Sequence, residues 1–120
     1  MVNPVAVLRG CKDGDVSYDQ LWFVCPGCKS HGESNSGLHA LPVNGAEQGA
    51  TKRPFWGFDG NLEKPTLSPS ILSRMEYAGK PFVCHSFLRN GVFEFLSDCT
   101  HKYAGQQVPM EPLPDWFMKE

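Results

Sequence analysis

Asn90–Gly91 stands between two segments that alternate apolar and polar residues, Val83–Leu88 and Val92–Leu96. Both central positions of a two-residue type I′ hairpin turn need positive φ, which Asn and Gly adopt at the least cost. The dipeptide therefore predicts a hairpin and sets its register. Arg89 faces Val92, Phe87 faces Glu94, His85 faces Leu96 and Val83 faces Asp98. Side chains alternate along a strand, so Cys84 and Cys99 fall on one face, His85 and Asp98 on the other. A bulge in either strand would exchange those faces.

The rest of the chain suits the same architecture. Its 120 residues include 12 Gly and 10 Pro, and 41% are hydrophobic, enough for a core broken by many turns. Short strand-like runs recur at Val5–Leu8, ended by Gly10, and at Leu21–Val24, "LHALPV", "FWGFDG" and Ile71–Met75. No stretch carries a long helical period; one or two helical turns fit near Asp115 to Lys119. The tail "VPMEPLPDWF" reads as extended and packed back on the body. The expectation is one domain over residues 1–120, mainly β. Its form is a small antiparallel sheet or partly open barrel with long loops, stapled by a metal site.

A formal net charge of −2 gives no bulk attraction to nucleic acid or anionic membranes. Trp22, Phe23, Phe55, Trp56 and Phe58 read as core or groove lining, because a base-stacking platform would be interleaved with basic residues. The start "MVNPVAVLRG" lacks a secretory pattern, and no apolar run reaches membrane-span length. The chain is thus read as cytoplasmic, with no nucleic-acid or membrane partner. Thiols stay reduced there, so a Cys-x-x-Cys reads as a metal or redox element.

"CPGC" (Cys25–Cys28) follows an aromatic strand and has the form of a zinc knuckle, with Gly27 expected to permit the tight turn. One knuckle supplies two of the four ligands of a closed structural site. Cys84 and Cys99, on one hairpin face, are expected to complete a Zn2+ site with Cys25 and Cys28. His101 is the first substitute ligand; His31, His39 and His85 are further candidates. Cys11, in a polar loop, is the spare cysteine.

The motifs "WFVCPGC", "LHALPV", "WGFDG", "KPTLSPSIL" and "VCHSFLRNGVFEFLSDCTHKYAGQQVPMEPLPDWF" together resemble a domain-of-unknown-function family. Its members are small zinc-binding proteins of tailed phages and prophages, with relatives in bacterial operons for ubiquitin-like conjugation. The resemblance spans roughly Leu21 to Phe117. It implies a peptidase acting on a ubiquitin-like protein or another peptide conjugate, and a host-cytosol location if phage-encoded. The family pattern carries over at Cys25, Cys28, Ser70, Cys84 and His85. His39, Asp98, Cys99 and His101 match the phage-type members. The insertion "HGESNSG" leaves His31 and His39 in competition for the family's histidine, and "HALPV" favours His39.

"PTLSPSIL" puts Ser68 and Ser70 on one side of an extended segment stiffened by prolines. The hairpin offers Ser70 a base in His85 and a carboxylate, Asp98, to orient the ring. These are the roles of a serine hydrolase. Two alternatives stay open. One is a non-enzymatic, zinc-stabilised module that engages or inhibits a host protein such as a defence factor. The other is a zinc hydrolase built on His39, His85 and His101 around an open coordination position.

Overall fold

The computed structural model describes residues 2–14, 16–29, 37–44, 55–77 and 79–119. In these residues the strands form two antiparallel sheets. The first pairs β1 (Ala6–Asp13), β2 (Val16–Val24) and β3 (Leu38–Asn44) in chain order. The second pairs β4 (Gly57–Phe58), β5 (Leu67–Tyr77), β6 (Lys80–Arg89), β7 (Val92–Phe95) and β8 (Gln107–Pro109), again in chain order. Two helical turns accompany them, α1 (Pro26–Lys29) and α2 (Asp115–Met118). The mainly β, open antiparallel class expected from the sequence is the one that forms.

β1 runs past Gly10 to Asp13, further than the sequence suggested. Its whole length pairs with β2, from Ala6 opposite Phe23 to Asp13 opposite Val16. That continuous ladder outweighs the weak strand preference of one glycine, since strand propensity yields readily to pairing context.

The two sheets share a core. Leu21 and Phe23 of β2, Leu88 of β6 and Phe93 of β7 are fully enclosed. The Phe23 and Phe93 rings meet across the sheets at 5.9 Å. Burying each such side chain stabilises the fold by roughly 1.5–3 kcal/mol. A smaller cluster caps the first sheet, where Leu113 and Phe117 pack with Val24, Trp22 and Val7. The Arg9 guanidinium lies 4.1 Å over the Phe117 ring. Leu113 N–H donates to the Pro4 carbonyl at 2.8 Å, and Asn3 donates to Asp115 Oδ1 at 2.7 Å. The tail thus packs back on the body, with α2 at the expected place.

The hairpin turn has φ of 51° at Asn90 and 74° at Gly91. Its register follows expectation as far as Ser86 opposite Phe95. Leu96 N–H still donates to the His85 carbonyl at 2.9 Å, as the expected facing of these two residues requires. Beyond Leu96 the register departs: Cys99 N–H donates to the Leu96 carbonyl at 3.2 Å, closing a turn. Pairing resumes at Thr100, whose N–H donates to the Val83 carbonyl at 3.0 Å. Val83 therefore faces Thr100 rather than Asp98. The turn adds residues to one strand only and makes a bulge there. Among the described residues no helix is long and apolar enough to cross a membrane.

Candidate active site and metal centre

Ser70 lies where the pairing of β5 with β6 slips, between Leu67 and Ile71. Pro69 has no N–H to give a ladder, so Ser68–Ser70 is the natural place for that slip. The Trp56 indole N–H donates to the Ser70 carbonyl at 3.4 Å, tying the bulge to the segment before β4. Ile71 faces the core at 6% exposure, so its neighbours Ser70 and Leu72 face outward. Leu72 pairs with His85, which puts that imidazole on the same outer face.

His85 is engaged on both ring nitrogens. Nε2 lies 3.0 Å from Ser70 Oγ, and Nδ1 lies 3.0 Å from Asp98 Oδ2. A carboxylate can only accept, so Nδ1 carries the proton and donates to Asp98. Nε2 then presents its lone pair, and the Ser70 hydroxyl donates to it. An imidazole held in this tautomer can take the proton of a serine that attacks a carbonyl. Asp98 arrives by an unexpected route. It sits in the turn Leu96–Cys99, which carries its carboxylate over the outer face although the simple register fails.

The inner face holds the metal-capable group. Cys25 at the end of β2, Cys28 in α1 and His39 in β3 have ligand atoms within 4.8 Å of one another, positioned to bind a metal ion. His39 Nε2 is 3.3 Å from Cys28 Sγ, and its ring stacks on Phe23 with centroids 5.6 Å apart. Cys84 adds a third thiol, its Sγ 3.6 Å from Cys25 Sγ. Hydrogen bonds from Cys25 and Cys84 hold the Cys28 thiol down at about 4, against burial, which would raise it. The same contact with Cys25 pushes Cys84 up. Crowded thiols beside an imidazole are a donor set that suits a soft cation.

The knuckle is a helical turn closed by Lys29 N–H on the Cys25 carbonyl at 3.0 Å. Gly27 has ordinary helical backbone, so the tight turn does not require it. A neighbour does. A Cβ at Gly27 would lie 2.5 Å from His101 Nε2 and 2.8 Å from the Phe95 ring.

Cys99 Sγ bonds the His85 main chain on the neighbouring strand, and it lies outside the Cys25–Cys28–His39 group. His101 Nδ1 accepts from Tyr103 N–H at 3.2 Å, which leaves the proton on Nε2 and no lone pair there for a metal. That Nε2 is buried with no hydrogen-bond partner, and burial pushes the imidazole down. His39, His85 and His101 do not gather into one cluster, so the three-histidine site does not form among the described residues. His31 lies outside the described residues. Cys11 donates to the Tyr18 hydroxyl at 3.3 Å, as a spare thiol. His39, only a substitute candidate in the sequence, stands in the ligand group itself. Its signal was the strand "LHALPV", which pairs His39 with Phe23, two residues before the knuckle.

Compared with models of protein families, residues 5–96 match the family described as bacterial ubiquitination-like system serine protease (BubE). The matched span holds Ser70, His85 and the thiols Cys25, Cys28 and Cys84, and it ends just before Asp98. Comparisons with curated proteins and with solved structures gave no match.

Proposed function

The chain belongs to the family of bacterial ubiquitination-like system serine proteases (BubE), and on that premise we propose that it is a peptidase with Ser70 as nucleophile. One observation carries the reading: His85 bridges Ser70 Oγ and Asp98 Oδ2 at 3.0 Å on either side. His85 takes the Ser70 proton as Oγ adds to the scissile carbonyl. It then delivers that proton to the departing amine, leaving an acyl-enzyme. A water, deprotonated by the same imidazole, releases the acyl group and restores Ser70. Asp98 keeps the ring oriented and stabilises it when charged.

The substrate in this reading is a peptide or isopeptide bond formed by a ubiquitin-like protein. The phage resemblance extends the reading to conjugates of a host cell. The metal is zinc, held by Cys25, Cys28, His39 and Cys84 within one stapled domain. Three sulfurs and an imidazole suit it, and four protein ligands give it a structural role. Bound there, zinc would supply cross-linking among the segments that carry these residues, while Ser70, His85 and Asp98 stand on the outer face.

Incubation with a ubiquitin-like protein carrying a C-terminal peptide extension tests the proposal. Removal of the extension by the wild type and its loss in Ser70→Ala is the expected result. Cleavage that persists in Ser70→Ala would overturn it.

A further inference from the structure

We infer that Cys99 is a positioning residue, whose thiol holds the His85 peptide so that the imidazole spans Ser70 and Asp98. The inference rests on the reading of Ser70 and His85 as a peptidase pair. Between Ser86–Phe95, the last regular pair, and Thr100 on Val83, the strand opposite His85 loops away in the turn Leu96–Cys99. A looped strand cannot give His85 both of its usual ladder partners. Leu96 N–H still reaches the His85 carbonyl at 2.9 Å, which leaves the His85 N–H to be satisfied.

The Cys99 side chain fills that role. His85 N–H donates to Cys99 Sγ at 3.2 Å, and the thiol donates back to the His85 carbonyl at 3.1 Å. The sulfur thus closes the neck of the turn whose corner carries Asp98. A thiol is both a weak donor and a weak acceptor, so one side chain can serve both main-chain groups of one residue. Cys99 is 8% exposed, so both of these contacts are made from within the core. Alanine here would leave a part-buried His85 N–H unpaired and let the turn drift.

The test uses the full chain, loaded with zinc, as wild type, Cys99→Ala and Cys99→Ser. Three quantities are read: bound zinc, the 15N NMR signature of the His85 ring, and the rate of Ser70 labelling by a fluorophosphonate. Cys99→Ala is expected to keep its zinc, lose the single Nδ1–H tautomer, and label about ten- to hundred-fold more slowly. Cys99→Ser, whose hydroxyl also donates and accepts, is expected to restore the tautomer and most of the rate. An unchanged tautomer and rate in Cys99→Ala would overturn the inference, and so would loss of zinc in either variant. If Cys99→Ala does not fold, Cys99→Ser decides by retaining or losing zinc and the tautomer. If the wild type is never labelled, the peptidase reading fails, while the ring spectrum still judges Cys99.

Discussion

Cys84 and His85 are consecutive on β6 and serve opposite faces of one sheet. Cys84 Sγ lies 3.6 Å from Cys25 Sγ in the core, and His85 Nε2 lies 3.0 Å from Ser70 Oγ outside it. One peptide therefore links the thiol cluster to the candidate base. Any shift of the strand at Cys84 moves His85 with it.

Metal removal should consequently abolish both order and reactivity. Chelation of the zinc-loaded protein is expected to remove Ser70 labelling and near-ultraviolet circular dichroism in parallel, since a structural zinc contributes folding energy. The two signals followed against chelator concentration check this. Labelling lost with the dichroism intact would assign the metal a chemical role instead.

Asp98→Asn separates orientation from stability. An amide can donate to Nδ1 and so favours the tautomer that places the proton on Nε2, facing Ser70. Turnover should fall by about 10⁴-fold, as expected when an orienting carboxylate is made an amide. The Asp98 side chain is 51% exposed, so the melting temperature should move little. Steady-state kinetics and thermal melts on the same preparations measure both. A variant within tenfold of wild-type turnover, an order-of-magnitude margin, would remove Asp98 from the mechanism.

Much of this arrangement was legible in the sequence. Asn90–Gly91 gave the hairpin and its register to Phe95, and alternation put His85 outward and Cys84 inward. The knuckle and the docked tail were equally readable, because each depends on local residue types. What escaped was set by tertiary contacts. The turn Leu96–Cys99 has no strong turn dipeptide, yet it moves Thr100 opposite Val83 and takes Cys99 to the His85 peptide. The nearness of His39 to Cys28 depends on how β3 pairs with β2, and the need for Gly27 depends on a ring far along the chain.

That ring makes Gly27 testable. Gly27→Ala drives a methyl into His101 and Phe95 and should destabilise the protein by about 1–3 kcal/mol, the usual cost of overpacking. His101→Ala makes room for it, so the double variant should be more stable than the two single effects summed. Urea melts of the four proteins give the coupling. Strict additivity would mean that His101 is not what excludes the side chain.

His101 also shapes the acid side of the stability profile. Burial lowers its folded pKa, so the unfolded chain binds this proton more tightly than the folded one. The contribution is fully present above the unfolded imidazole range, about 6.5, and is lost as pH falls below it toward the folded value. His101→Phe should therefore lose less stability than the wild type between neutral pH and mild acid. Urea midpoints at a series of pH values compare the slopes. Equal slopes would contradict the burial assigned to this ring.

The most direct measurement is the site of covalent labelling. The zinc-loaded chain is treated with a fluorophosphonate and peptide-mapped by mass spectrometry. One adduct on Ser70, absent from His85→Ala, is the predicted result. A folded, zinc-loaded protein that takes no label, or takes it on Ser68 or any other serine, would contradict the account.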